Sequence, residues 1–301
     1  MTLSRLIPWA ALFTTVIIWA GYLVAVRAAA ASPLTPIDVG LLRSVPAALL
    51  LAPLIFKRGL RPGQATWTDI FFIGFVGGTL FTLILSNGAH FAPVADSGIF
   101  APSMLPVFVT ILAIAFLGAR FTALQYAGLI TIVFGAIFVG GYEAITNAQS
   151  GAWRGHILFL TASFCWAIYT IRFRASGLSA TNGAMILVTW SGFLFLIGAL
   201  VFGSNIPNVS GSVLTVQLLL GLSAGLIANF TFLYSVQNLG PTISAASAAL
   251  VPVIATLGGF IFLSEPITTL KGVGIAIVAL GVLLASGLWS KTRAQNPSNN
   301  R

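Results

Sequence analysis

Two short segments of the sequence carry the same aromatic residues at the same spacing. Trp19 and Tyr22 lie in the first segment, and Trp166 and Tyr169 follow 147 residues later. Residues three apart share one face of a helix, so each pair presents two rings on one side. Flat rings of this kind can stack on an apolar solute. Aromatic residues at helical spacing also pack against neighbouring helices or lie in an interfacial belt, and both interpretations stay open.

A second group of candidate binding residues consists of uncharged polar side chains inside long apolar runs. In lipid, each such group must find a hydrogen-bond partner. They could bind the ammonium and carboxylate of an amino acid without fixed charges, or they could bond neighbouring helices. Together with the two aromatic pairs, the predicted cavity lining comprises Asn87, Ser97, Ser103, Asn229, Gln237, Ser244 and Ser247.

The acidic residues avoid the middle of the apolar runs. All five acids lie at or near the ends of these runs, whereas an ion-driven carrier commonly keeps a carboxylate deep in the membrane. For a membrane carrier, this pattern would favour facilitated transport, with a proton-coupled antiporter as the alternative. His90 and Asp96 are close in sequence and could relay a proton.

Arg43 is the one cation placed well inside an apolar run. A charge at a helix centre costs about 2.5–3.5 kcal/mol on insertion scales, and less near an interface. Arg43 could be a structural anchor to loop carbonyls or to Asp38. It could instead be the partner of a substrate carboxylate.

The sequence shows no pattern that indicates a metal, a cofactor or an enzyme. The two histidines are far apart, and Cys165 is the one cysteine. Neither a metal cluster nor an internal disulfide follows from these residues. The motifs of intramembrane or phosphate-binding enzymes are missing from the sequence. An enzyme and a scaffold without flux remain as weaker alternatives.

The composition requires a membrane. Of 301 residues, 58% are hydrophobic and 6% charged, whereas soluble domains carry about 25% charged residues. Most side chains must therefore face lipid or one another. The net charge of +9 comes from cations scattered near helix ends, which argues against a nucleic-acid partner. The expected partners are membrane lipid and a small molecule.

Ten apolar runs are long enough to predict ten transmembrane helices, because continuous apolarity of this length excludes strands. The runs span residues 8–27, 37–56, 68–90, 95–117, 122–142, 152–173, 180–202, 213–237, 242–263 and 268–289.

Further landmarks recur at an offset of 146 or 147 residues, among them Gly74 and Gly78, which match Gly221 and Gly225. We predict an all-α integral membrane protein of two five-helix repeats, residues 1–147 and 148–289, followed by a polar cytoplasmic tail at 290–301. Five helices per repeat is an odd number, so the second repeat would be inverted. Inverted repeats are typical of transporters with a site between the halves and alternating access.

Three prolines and the glycine pairs bear on motion and assembly. Pro102, Pro106 and Pro252 interrupt predicted helices and are candidate hinges. The Gly-xxx-Gly pairs allow close helix contact. One pair in each repeat favours internal packing, which predicts a monomer or a weak homodimer.

Orientation follows from the distribution of cations. With the N-terminus inside, ten cations face the cytoplasm and three, Arg27, Arg154 and Lys271, face outward. The positive-inside rule then places both termini in the cytoplasm. We expect a bacterial inner membrane protein.

The motifs resemble the EamA-type branch of the drug/metabolite transporter superfamily. Similar positions include Trp19, Trp166, Arg43, Ala89, Ser97 and Pro106, and the turns Leu117-Gly118-Ala119-Arg120 and Leu263-Ser264-Glu265-Pro266. The resemblance implies ten helices in two inverted repeats, a cavity bordered by the first helix of each repeat, and metabolite transport. The aromatic content is most similar to YddG-type aromatic amino-acid exporters. Ala119 departs from the family's glutamate, which Glu265 retains.

Overall fold

The computed structural model describes residues 3–286 and is 84% helix, with no strand in that range. Seven helical spans, three of which combine shorter helical pieces, are long and apolar enough to cross a membrane. They are Leu6–Ala30, Trp67–Gly88, Val94–Leu117, Ala123–Glu143, Ala152–Ser176, Ala180–Phe202 and Gly211–Leu239. Pro36–Leu50 and Ala52–Arg58, bent by 65°, form an eighth span if taken as one, and Val251–Leu263 and Thr269–Ala285 are shorter apolar helices. The all-helical membrane fold is confirmed, and the count of ten stays a prediction. The tail at 290–301 lies outside the described residues.

The α-helices are numbered in chain order. They are α1 Leu3–Ala30, α2 Pro36–Leu50, α3 Ala52–Arg58, α4 Trp67–Asp69, α5 Phe81–Gly88, α6 Val94–Phe100, α7 Leu105–Leu117, α8 Ala123–Thr146, α9 Ala152–Ser176, α10 Ala180–Phe202, α11 Gly211–Leu222, α12 Asn229–Leu239, α13 Pro241–Ala246, α14 Val251–Leu263 and α15 Thr269–Ala285. Two π-helical segments, Ile70–Leu80 and Ser223–Ala228, connect α4 to α5 and α11 to α12.

Several helix starts are fixed by reciprocal side-chain caps. The Thr35 hydroxyl accepts a hydrogen bond from the Asp38 N–H, and the Asp38 carboxylate accepts one from the Thr35 N–H. Thr66 with Asp69 and Thr122 with Gln125 repeat this arrangement. Such caps satisfy backbone N–H groups that lipid cannot. They explain why Asp38 and Asp69 lie at helix ends, as the sequence indicated.

Besides the run at 37–56, which bends after Leu50, two further apolar runs are interrupted. α6 ends at Phe100 and α7 begins at Leu105, and α13 and α14 are separated by a short 3₁₀ segment, Ser247–Leu250. The expectation that Pro106 and Pro252 interrupt the middle of a helix is therefore corrected. Each lies in the first turn of the second piece, where a missing N–H costs nothing. Pro102 lies in the break itself, and the hinge role of all three stays a prediction.

The glycine pairs pack inside the protein, as the sequence indicated. A Cβ on Gly225 would collide with the Arg43 carbonyl of α2, and a Cβ on Gly221 would be in unusually tight contact with the α2 backbone at Leu42 and Arg43. A Cβ on Gly74 or Gly78 would meet α10. These four positions are glycine because two helix backbones approach closely there.

Residues 147 apart in the chain touch each other at the centre of the fold. The Trp19 and Trp166 rings meet edge to face with centroids 5.4 Å apart, and the Ser191 hydroxyl donates to the Ser44 hydroxyl at 3.1 Å. A residue can contact its own counterpart in this way where two similar units face each other across a two-fold axis.

The turns after α7 and α14 have the same backbone geometry. Gly118 and Ser264 both adopt left-handed conformations, with φ of 62° and 55°. The next residue closes each turn: the Ala119 N–H donates to Ala113 O at 3.1 Å, and the Glu265 N–H donates to Gly259 O at 3.2 Å. Ala119 and Glu265 therefore occupy matching positions on two matching turns.

Candidate functional site

A small cavity of about 50 Å³ lies between α1, α2, α5 and α9, beside the break between α6 and α7. Its walls are mostly aromatic and aliphatic, with one charged side chain. The lining residues are Trp19, Tyr22, Leu23, Arg43, Phe81, Leu85, Ala101, Pro102, Leu105, Ser163, Trp166 and Val251. An apolar pocket with few polar groups is typical of a small-molecule site.

The aromatic wall is built around Trp166. Its ring lies 4.4 Å from the Phe81 ring and 5.1 Å from the Tyr169 ring, measured between centroids. Trp19 closes the wall from α1 and also packs on Phe232 at 5.0 Å. The Trp166 indole N–H is buried and has no hydrogen-bond partner in the part of the chain that the structure describes. Large flat faces and a free donor therefore border the same space.

Arg43 supplies the charge of the cavity. It is 2% exposed, and its guanidinium donates one hydrogen bond, to the Thr82 hydroxyl at 3.1 Å. The guanidinium carbon lies 4.9 Å from the Tyr22 ring centroid and 5.7 Å from that of Trp166. The suggested anchor to Asp38 is wrong, because the Asp38 carboxylate is held by Thr35, Ser204 and Asn205.

Three of the predicted lining residues, Trp19, Tyr22 and Trp166, do border the cavity. Tyr169 is fully buried behind Trp166, with its hydroxyl unpartnered. Ser244 is also buried and unpartnered, away from the cavity lining. The spacing of three residues identified the helix face that carries the rings. It could not distinguish Trp166, which lines the cavity, from Tyr169, which does not.

The other predicted polar lining residues bond backbone carbonyls instead. Asn87 is exposed and donates to Leu83 O, while Ser97, Ser103, Asn229, Gln237 and Ser247 donate to Val94 O, Gly98 O, Gly225 O, Leu178 O and Ser244 O respectively. These donors satisfy carbonyls within or between helices, whereas the side-chain oxygen of Asn229 has no hydrogen-bond partner among the described residues. None of the six lines the cavity of about 50 Å³, and their role in binding stays a prediction.

A buried charged cluster forms where four helices meet at one end of the molecule. The Lys271 ammonium lies 2.7 Å from Asp96 and 3.1 Å from Glu143. His156 Nε2 lies 2.9 Å from Asp96 and 3.4 Å from Glu143. Asp96 is fully buried, and the Phe100 ring stacks on His156 with centroids 4.2 Å apart.

This cluster corrects the predicted pairing of Asp96 with His90. His90 is exposed, whereas the partners of Asp96 are His156 and Lys271. The sequence could not reveal this, because His156 is 60 residues from Asp96 along the chain. The one hint was that these polar residues all lie near ends of apolar runs.

The cluster could hold a cation or a proton. Ligand atoms of Asp96, Glu143 and His156 lie within 4.8 Å of one another, which the sequence spacing did not suggest. The Lys271 ammonium already contacts both carboxylates, however, and neutralises charge that a metal ion would otherwise balance. The arrangement therefore fits proton exchange among acid, imidazole and amine better than metal binding.

A second cavity of about 310 Å³ adjoins this cluster and is bordered by Glu143, Lys271, Arg27, Glu265 and Thr256. Arg27 pairs with Glu265 at 2.8 Å, and the other oxygen of Glu265 accepts the Val94 N–H at 2.8 Å. We call this end of the molecule the Glu265 mouth.

At the opposite end, which we call the Asp69 mouth, the described residues form fewer ion pairs. Arg172, near the far end of α9 from His156, pairs with Asp69 at 2.7 Å. Arg174 donates to Gln237 O at 3.2 Å, much as Arg27 donates to Ala89 O. At Ala119, which matches Glu265 in the fold, the chain has no carboxylate to complete a second arginine pair.

Comparison with known proteins gives the family. The EamA-like transporter family matches twice, at residues 7–141 and 153–287. A relative from Streptantibioticus cattleyicolor, described as a "Probable terminal-alkyne amino-acid exporter", is 30% identical over 94% of both chains. The inner membrane transporter YedA of Escherichia coli is 25% identical over 95% of this chain and 93% of its own.

A third relative and a solved structure agree. The transporter YyaM of Bacillus subtilis is 28% identical over 80% of this chain and 81% of its own. One crystal structure of a protein shares the fold, with a TM-score of 0.65 and 17% identity over 95% of this chain and 98% of that one. This chain therefore belongs to the EamA-like transporter family and is a membrane transporter.

Proposed function

We propose that the protein exports neutral amino acids, with aromatic ones preferred, by facilitated alternating access. The observation that supports this most is the meeting of Trp19 and Trp166 at the cavity, because symmetry-related rings between two halves offer an apolar solute stacking surfaces. The amino-acid exporter among the relatives is consistent with the same substrate class.

The cavity in this conformation is smaller than such a substrate. A buried water needs about 10–15 Å³, so about 50 Å³ holds a few waters. Uptake would therefore require the walls to part, at one mouth and then the other. The breaks at Pro102 and at Ser247–Leu250 are where we place that bending.

The architecture that we propose is ten helices in two inverted repeats, 1–147 and 148–289, with both termini in the cytoplasm of a bacterial inner membrane. Two family matches offset by 146 residues support the repeats, as do the contacts between counterparts. Reporter tags at the two termini should respond on the cytoplasmic side. Tags on opposite sides would require an odd total of helices and would refute two repeats of equal helix number.

Flux measurements test the function. Purified protein in liposomes should release preloaded labelled phenylalanine, tyrosine and leucine unmodified, without an imposed ion gradient. Protein-free liposomes and a labelled sugar are the controls. Absence of amino-acid flux would refute the substrate class, and recovery of altered solute would favour an enzyme.

Proton-coupled antiport is a second candidate, and the buried cluster of Asp96, Glu143, His156 and Lys271 favours it. A fully buried carboxylate in a membrane helix is costly and often functional. Coupling predicts that a pH gradient drives accumulation of substrate and that Asp96→Asn abolishes the accumulation but not exchange. If a gradient leaves the final distribution at equilibrium, transport is facilitated.

A further inference from the structure

The unusual feature of the cavity is a buried cation without an anion. The chain has five acidic side chains, and all five lie within the described residues. Asp38 is held by Ser204 and its own cap, Asp69 by Arg172, Glu265 by Arg27, and Asp96 and Glu143 by Lys271. None of them contacts the Arg43 guanidinium.

The surroundings of Arg43 stabilise the cation without neutralising it. Three rings, of Tyr22, Phe81 and Trp166, lie within 5.7 Å of the guanidinium carbon, and cation–π contact favours a desolvated cation. A guanidinium carries five N–H donors, and the one hydrogen bond it makes here goes to Thr82. Donors remain free on the side chain that lines the cavity.

Neutral donors border the same space. The hydroxyls of Tyr22 and Ser163 and the Trp166 indole N–H are buried and have no hydrogen-bond partner among the described residues. Buried polar groups are normally satisfied, so three unpartnered groups that can donate beside one cavity indicate that an acceptor binds there. A carboxylate has two acceptor oxygens and matches the fork of a guanidinium. By contrast, the lining residues include no acid that could hold an ammonium group.

We infer that Arg43, with Ser163 and Trp166, binds the carboxylate of the transported molecule, and that the substrate's amino group is dispensable for binding. That the bound molecule is also transported rests on the proposed function, whereas carboxylate binding at Arg43 does not. The site would take a small apolar or aromatic monocarboxylate whether or not it carries an amine. It would reject the corresponding amine.

Binding to the purified wild-type protein tests this without any variant. The ligands are 3-phenylpropanoate, L-phenylalanine and phenethylamine, followed by tryptophan fluorescence, since Trp19 and Trp166 line the cavity. We expect the two carboxylates to bind within about threefold of each other and the amine at least tenfold more weakly, in line with a charge-assisted bidentate bond. Equal binding of phenethylamine and 3-phenylpropanoate would overturn the inference.

Variants assign the role to Arg43. Arg43→Gln should weaken 3-phenylpropanoate binding at least tenfold, and Arg43→Lys, which keeps the charge without the fork, by about threefold. Arg58→Gln is the matched control, because Arg58 is exposed and bonds Asn182. A folded Arg43→Gln protein that binds 3-phenylpropanoate as wild type does would refute the assignment. If Arg43→Gln does not fold, the binding of the three ligands to the wild-type protein and of 3-phenylpropanoate to Arg43→Lys still tests the carboxylate site.

The flux assay keeps the two proposals separate. If labelled neutral amino acids do not cross the liposome membrane but 3-phenylpropanoate binding depends on Arg43, the substrate proposal fails and the carboxylate site stands. If amino acids cross and phenylpropanoate neither binds nor competes, the carboxylate site fails and the export proposal stands.

Discussion

Arg43 and Lys271 are both buried cations in a membrane protein, and their surroundings differ completely. Lys271 contacts two carboxylates, which compensate its desolvation directly. Arg43 contacts aromatic rings and one hydroxyl, so its charge stays available to an anion that enters the cavity. The contrast separates a cation that holds helices together from one suited to a ligand.

At the residue scale, the first prediction concerns Trp166. Trp166→Phe keeps a ring but loses area and the indole donor, and a ring pair contributes about 0.5–1.5 kcal/mol. We expect substrate affinity to fall about 2- to 12-fold, measured as the half-saturating concentration for liposome flux. Trp153→Phe is the control, because Trp153 is exposed and beside Arg154. Unchanged affinity in Trp166→Phe would remove this ring from the binding surface.

Part of the site could be read from the sequence and part could not. Trp19, Tyr22 and Trp166 were predictable because a repeated spacing of three residues marks one helical face. Ser163 was not predictable, since a single serine in an apolar run has no pattern. The cluster around Asp96 was missed because hydrogen bonds across four helices leave no periodic trace in one chain.

At the scale of helices, close backbone contact positions Arg43. Gly225 lies against the Arg43 carbonyl, so α2 is held directly on the π-helical segment Ser223–Ala228. This contact sets the depth at which the guanidinium enters the cavity. The Gly-xxx-Gly spacing predicted a tight packing site, but not which helix it would meet.

The second prediction follows from this contact. Gly225→Ala would force the backbones apart, and overpacking of this kind costs about 1–3 kcal/mol. We expect a lower unfolding temperature in detergent, together with weaker substrate binding because Arg43 is displaced. Gly272→Ala is the matched control, since nothing lies within 4 Å of a Cβ there and alanine favours helix. Equal stability of the two variants would contradict the packing argument.

The broken helices show where sequence reasoning about prolines was incomplete. A proline inside an apolar run predicts one kinked helix, whereas Pro106 and Pro252 each lie in the first turn of a new helical piece. Proline fits both descriptions, because it is tolerated in the first turn and disruptive further on. The distinction depends on whether the preceding residues continue the helix, which hydropathy does not reveal.

At the scale of the whole molecule, ion pairs are unevenly distributed between the two mouths. Within residues 3–286, the Glu265 mouth has the Arg27–Glu265 pair and the four-residue cluster, while the Asp69 mouth has the Arg172–Asp69 pair. Each of these pairs joins the two predicted repeats. Opening the Glu265 mouth would therefore break more interactions than opening the other.

The third prediction tests this closure. In a Cys165→Ser background, Thr256→Cys places a thiol beside the Glu265 mouth cavity. Adding Glu265→Gln removes an ionic hydrogen bond of about 1 kcal/mol, so modification by a water-soluble thiol reagent should speed up about fivefold. Asp69→Asn, which weakens the opposite mouth, should not accelerate labelling. Equal acceleration by both variants would show that the pair does not act locally.

The fourth prediction restores the carboxylate that the matching turn lacks. Ala119→Glu should give Arg174 an acid partner, hold the Asp69 mouth closed and slow liposome flux several-fold. The further change Arg174→Gln should recover most of the flux, which a general folding defect would not allow. Slow flux in both proteins would mean that the glutamate acts elsewhere.

The lone carboxylate on one of two matching turns has a kinetic consequence. Under the facilitated transport that we propose, neither direction is favoured at equilibrium, so the ratio of the maximal rate to the half-saturating concentration must be the same from both faces of the bilayer. The Arg27–Glu265 ion pair, which holds one end closed, nevertheless shifts the empty carrier toward the conformation that is open at the opposite end. For solute added on the side to which the empty carrier is mostly open, we expect a lower half-saturating concentration and a proportionally lower maximal rate. The maximal rate and the half-saturating concentration should then each differ between the two faces, while their ratio is the same.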